Sequence, residues 1–151
     1  MEARLSWTKG MQFECNNHGV ISYLDASVEH GGGGEFASPK ELLLNAMMGC
    51  TGIDVLMTLK KMRQEVEDLR IEVRAQQTDD YPVHFYSATL LYRMVGNIDE
   101  VKLKKAIKAS LTQYCGISYM VSKTCKISYE IHLNDQLIAR GTPEEYQIKT
   151  L

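Results

Sequence analysis

The chain has 151 residues, 44% of them apolar and 24% charged, the size and make-up expected of a single folded domain over 1–151. Seventeen basic residues against 19 acidic ones leave a net charge of -2, which argues against bulk electrostatic binding of nucleic acid or acidic membranes. The opening residues carry no apolar export segment, so the four cysteines are expected as thiols in a reducing cytoplasm.

The first third reads as short strands joined by turns. Ala3, Leu5 and Trp7 alternate with Arg4, Ser6 and Thr8, the period of two that marks a half-buried strand. Lys9-Gly10 turns the chain, Met11, Phe13 and Cys15 alternate again, and Asn16 to Gly19 leads into a third strand over 20–24. Gly31 to Gly34 is then expected to be a mobile loop with an almost unconstrained backbone. It lacks the Lys-Ser/Thr that would follow in a phosphate-binding loop.

Ser38-Pro39-Lys40-Glu41 signals a helix start: Ser38 as cap, Pro39 at the first helical position and Glu41 closing a capping box. One long helix is expected over 42–64, with Gly49 and Gly52 as places to bend. Its first half has no polar face, which predicts burial on nearly every side and hence a homodimer whose second copy completes the cover. Asn45 and Asp54 interrupt the apolar run, so no membrane span is expected.

Leu69, Ile71, Val73 and Ala75 alternate with charged residues as a clear strand, and 83–95 returns as a longer one. A second helix is expected over 99–114 with Leu103, Ala106, Ile107, Leu111 and Tyr114 as its buried stripe and its lysines in solvent. A short helical turn follows at 117–121, then a strand carrying Cys125, Ile127, Tyr129, Ile131 and Leu133. The order βββ-α-ββ-α-β predicts an α+β domain of largely antiparallel strands with a long buried central helix. Residues 134–151 form an extension in which 135–140 suggests a further strand and Thr142 to Glu145 a turn of helix.

The chemical candidates are Cys50 and Cys115. Cys50 sits in the apolar helix beside Gly49 and near Gly52, whose small size lets a substrate or backbone approach the sulfur. Cys115 stands where the second helix stops, and amides of a new helical turn there would favour a thiolate. Against this stands the plain reading of both as small buried hydrophobes. Cys15 and Cys125 fall on the apolar register of strands and are expected in the core. No metal site is expected, since Cys15-Asn16-Asn17-His18 is the only ligand-like spacing, and no partner is evident for His30, His84 or His132.

Ser38-Pro39-Lys40-Glu41-Leu42-Leu43-Leu44-Asn45-Ala46-Met47-Met48-Gly49-Cys50 resembles the S-P-x-E-L-x-x-x-A-x-x-x-C signature of the OsmC/Ohr family of osmotically inducible and organic-hydroperoxide-resistance proteins. Cys115-Gly116-Ile117-Ser118 is similar to that family's C-P-V-S segment, and 126–130 to its last strand. Thr51 to Val55 and Leu59 to Gln64 look most like its YhfA-like branch. The resemblance implies an intertwined homodimer that reduces organic hydroperoxides with a cysteine pair and without metal or other cofactor. Cys50 would be the peroxidatic and Cys115 the resolving residue, with an external dithiol as reductant. Two departures keep an alternative open, a non-peroxidase relative that binds a small apolar or electrophilic ligand in the dimer cleft. Lys40 stands where active members carry a Glu that pairs with an Arg, and the aligned N-terminal turn offers Lys9 in place of that Arg.

Overall fold

Alternation and turn chemistry build the strands much as the residues dictate. The computed structural model describes residues 1–143; the helical turn expected from Thr142 to Glu145 lies mostly outside the described residues. Contacts divide the chain inside its long helix into two compact units, Met1–Asn45 and the residues from Ala46 onward.

In the first unit β1 (Arg4–Lys9), β2 (Gln12–Asn17) and β3 (Val20–Leu24) form a three-stranded antiparallel sheet. The face expected to be half-buried is exposed: Leu5 keeps 58% and Trp7 68% of its surface. The four glycines are held, contrary to the expectation of a mobile loop. A single 3-10 turn at Val28–His30 leads into them, Gly31 (φ 82°) and Gly34 (φ 70°) take left-handed conformations, and the Gly33 N–H donates to Asp25 Oδ2 at 2.8 Å. A Cβ on Gly32 would lie 1.7 Å from the Ala26 carbonyl oxygen, so only glycine fits there.

Helix α1 (Pro39–Lys61) begins with the capping box the sequence encodes. The Ser38 N–H and hydroxyl both donate to Glu41 Oε2 at 2.7 Å and lower its pKa, while the Glu41 N–H donates to Ser38 Oγ at 3.4 Å. The helix runs unbroken through both glycines. Its burial is narrower than expected: Met47, Thr51, Gly52, Val55 and Leu59 form one buried stripe, while Ile53 is 62% and Met57 54% exposed. Length and composition alone would let α1 cross a membrane, contrary to the expectation from Asn45 and Asp54. Its buried stripe, however, packs on protein, with Ile71 Cδ1 filling the space where a Gly52 Cβ would go.

The second unit holds a four-stranded sheet in the order β4 (Glu65–Gln77), β5 (Phe85–Asn97), β6 (Lys126–Leu133), β7 (Gln136–Gly141). The last of these answers the strand expected over 135–140. β4 and β5 pair antiparallel with Ile71 opposite Tyr92, and β6 and β7 also pair antiparallel. β5 and β6 are parallel, an exception to the antiparallel pattern that follows from the helical crossover between them. That crossover comprises α2 (Glu100–Ala109), a π-helical turn at Ser110–Tyr114 and α3 (Gly116–Val121). Asp99 caps α2 by accepting the Lys102 N–H at 2.9 Å. Ala88, Leu90, Tyr92 and Met94 of β5 join Leu103, Ala106, Ile107, Leu111 and Ile131 in the core.

The π turn corrects one expectation about side chains. Cys115 N–H bonds to the Ser110 carbonyl, five residues back, at 2.9 Å. One extra residue in that turn takes Tyr114 off the buried stripe, leaving it 59% exposed, while Ser110, still on the helical register of Leu103, Ala106 and Ile107, is fully inside.

Candidate thiol site

Cys50 projects from α1, and Cys115 lies at the junction of the π turn and α3, both within the second unit. The structure brings them together. Their Sγ atoms and a carboxylate oxygen of Asp54 all lie within 4.8 Å of one another. Cys50 and Asp54 are half-buried, while Cys115 is wholly enclosed. A molecule arriving from solvent therefore meets Cys50 first. A Cβ on Gly49 or Gly116, the residues adjoining each thiol, would touch nothing within 4 Å, so the flanks of the pair are uncrowded.

Cys115 caps α3, and its sulfur accepts the Ser118 hydroxyl at 3.1 Å and the Ser118 N–H at 3.3 Å. These are the helix-start donors expected to favour a thiolate. They do not win. Burial, helped by the hydrogen bond with Cys50, outweighs them and pushes the Cys115 thiol up to about 11. At neutral pH Cys115 is a protonated thiol.

Asp54 follows Cys50 by one helical turn, which puts both side chains on the same face. Ser110 Oγ lies 3.0 Å from Asp54 Oδ2 and 2.9 Å from Thr51 Oγ1, which in turn is 2.8 Å from the Tyr92 hydroxyl. The single Ser110 hydroxyl proton is shared between two acceptors, Asp54 Oδ2 and Thr51 Oγ1, at the end of a buried row of hydroxyls that continues to Tyr92. Sequence reasoning missed Asp54, Ser110 and Thr51 as a group. The i, i+4 spacing of Cys50 and Asp54, and the spacing of Ser110 three, four and seven residues after Ile107, Ala106 and Leu103, were the available signals.

The remaining cysteines are apart from this cluster. Cys125 is buried as expected, and burial raises its pKa, but Cys15 is only half-buried because its sheet is open on one side. Cys15 and His18 enter no cluster of three metal-ligating groups among the described residues. His30 Nδ1 is 2.7 Å from Ser27 Oγ, and His84 Nδ1 is 2.8 Å from the Pro82 carbonyl, so both have local structural partners. Glu41 is occupied by its capping box, and Lys9 Nζ lies 3.8 Å from Glu35.

Residues 32–130 match the model of the OsmC-like protein family. The chain belongs to that family. Protein YhfA of Escherichia coli K12 is 28% identical over 137 residues, covering 87% of this chain and 98% of its own length. A hypothetical protein of Aquifex aeolicus superposes with a TM-score of 0.76 at 28% identity, over 88% of this chain and 96% of that one. An organic hydroperoxide resistance protein OsmC of Legionella pneumophila shares the fold with a TM-score of 0.67 at 14% identity, over 87% and 95% of the two chains.

Proposed function

We propose that this OsmC-like protein is a cytoplasmic homodimer that reduces organic hydroperoxides through Cys50 and Cys115. The observation that carries the reading is the meeting of a half-exposed and a fully buried thiol within 4.8 Å in one unit. The fold it shares with a hydroperoxide resistance protein adds support. Ile53 and Met57 in one unit, and Leu5 and Trp7 in the other, leave apolar surface that a second copy would cover. A light-scattering mass of twice the chain at micromolar concentration is the expected result, and a monomer mass refutes the dimer.

In the reaction, the Cys50 thiolate attacks the outer oxygen of the peroxide and the O–O bond breaks. One proton is taken up, the alcohol leaves, and Cys50 becomes a sulfenic acid. The Cys115 sulfur then attacks the Cys50 sulfur, losing its own proton, and water departs as the disulfide forms. An external dithiol returns both thiols by exchange.

The reduced protein treated with cumene hydroperoxide should lose two of its four thiols and the mass of two hydrogen atoms. Cys50→Ser should abolish peroxide consumption and disulfide formation. Cys115→Ser should stop at a trappable Cys50 sulfenic acid. Four thiols unchanged under excess peroxide would end the peroxidase reading. A ligand-binding relative, favoured by Lys40 and by the absence of an aligned Arg near Lys9, is then the remaining alternative.

A further inference from the structure

The peroxide reaction uses two sulfurs and gives Asp54 nothing to do, yet this carboxylate, hydrogen-bonded by Ser110, lies within 4.8 Å of both. We propose that Cys50, Cys115 and Asp54 form a binding site for a soft divalent cation, zinc by its chemistry. Zn–S bonds of about 2.3 Å and Zn–O bonds of about 2.1 Å in a tetrahedron need ligand atoms roughly 3.5–3.8 Å apart. The three ligand atoms already lie within 4.8 Å of one another, so small side-chain rotations suffice.

Sulfur ligands discriminate against calcium and magnesium, which take oxygen, and favour zinc. Cys50 and Asp54 one turn apart on a rigid helix are spaced as paired metal ligands on a helix commonly are. Groups that would orient the ligands are also in place. Ser110 orients Asp54 at 3.0 Å, backed by Thr51 and Tyr92, and Ser118 donates to the Cys115 sulfur at 3.1 Å. Three protein ligands leave a fourth position for water, on the side where Cys50 and Asp54 are half-exposed. On metal binding the two thiol protons pass to buffer, and no electron moves. A bound cation ties up Cys50 and blocks its attack on peroxide, so the site would be inhibitory toward that chemistry. The assignment itself stands on geometry and does not rest on the peroxidase reading.

The test is zinc uptake by the fully reduced full-length protein in competition with a chromophoric chelator, without peroxide. One zinc per chain is expected. Cys50→Ser, Cys115→Ser and Asp54→Asn should each weaken it by about tenfold or more, and Ser110→Ala by about tenfold, whereas Cys15→Ser leaves it unchanged. Cobalt in place of zinc should give thiolate-to-metal absorption that roughly halves in either single cysteine variant. Because a variant can lose its fold, the wild-type protein supplies a second readout: zinc should shield Cys50 from alkylation while Cys15 continues to react. No uptake by the wild-type chain, uptake unchanged in Asp54→Asn, or alkylation of Cys50 undiminished by zinc would each overturn the site.

Discussion

Asp25 in the first unit and Cys115 in the second are both fully buried ionisable groups, and their surroundings drive them opposite ways. Burial alone would hold each in its neutral form. At Asp25 that penalty is outweighed by the Gly33 N–H, the Gln12 amide and the nearby N–H groups of Ala26 and Gly34, so its pKa is lowered. At Cys115 the two donors of Ser118 are outweighed by burial and Cys50, and the thiol rises to about 11. The comparison teaches that the count and kind of donors around a buried group decide its charge. Backbone glycine amides, brought in by a loop with no side chains to obstruct it, keep an acid ionised. A lone serine, facing a second thiol, does not do the same for a sulfur.

The largest expected effect is at the acid. Asp25 Oδ1 has no hydrogen-bonded partner, while Oδ2 holds the glycine loop, and Gln12 Nε2 also reaches Glu35 Oε2 at 2.7 Å. Asp25→Asn removes the charge that these donors face and introduces an N–H₂ with little to bond. The melting temperature should fall by several degrees. The pH dependence gives the sharper test. A lowered folded-state pKa means Asp25 stabilises the fold above its unfolded value of about 3.9, and that contribution is lost as pH falls through the lower folded value. Denaturation measured from neutral to acid pH should therefore show a shallower loss in Asp25→Asn than in the wild type. Parallel curves would mean that the loop amides do not hold a charge.

At the thiol the sign reverses. A raised folded-state pKa means the protonated Cys115 stabilises the fold fully below the unfolded value of about 8.5, and this is lost as pH rises toward about 11. Chemical denaturation between those limits should show wild-type stability falling relative to Cys115→Ala. An unchanged difference across that range would place Cys115 in a more polar setting than its burial implies.

These two groups also mark how far the residues alone can be read. The capping box of Ser38 and Glu41, the alternation of β4 and the stripe of α2 up to Leu111 are set by local spacing, and they were legible. Cys50 and Cys115, singled out by their motifs, are brought close together by the fold. The glycine run was misread because its order comes from Asp25, a residue six positions upstream whose burial is a tertiary fact. Tyr114 was misplaced on the buried stripe because of the π turn, since the extra residue in the turn leaves no mark in composition or period. The uniform apolarity of α1 gave no hint of which stripe is buried. Nor did strand patterns reveal that β5 and β6 run parallel, because alternation fixes faces and not direction.

The smallest expected effect tests whether the donors at Cys115 count at all. In the proposed peroxide reaction the resolving step requires the Cys115 sulfur to attack as a thiolate, so its rate at neutral pH would scale with the small fraction ionised. Ser118→Ala removes the hydroxyl donor at 3.1 Å and keeps the N–H at 3.3 Å. Losing one hydrogen bond worth about 0.5–1.5 kcal/mol would raise the Cys115 pKa further and slow disulfide closure by roughly threefold to tenfold. The measurement is the decay of the Cys50 sulfenic acid after a single pulse of peroxide, followed by trapping at successive times. Raising the pH should speed closure in both proteins, and the gap between them should narrow as the pH approaches about 11, where the wild-type thiol is half ionised. A merely structural role for Ser118 would slow closure equally at every pH. Equal rates in the two proteins at neutral pH would instead show that a step other than Cys115 ionisation limits closure, and that burial alone governs this thiol.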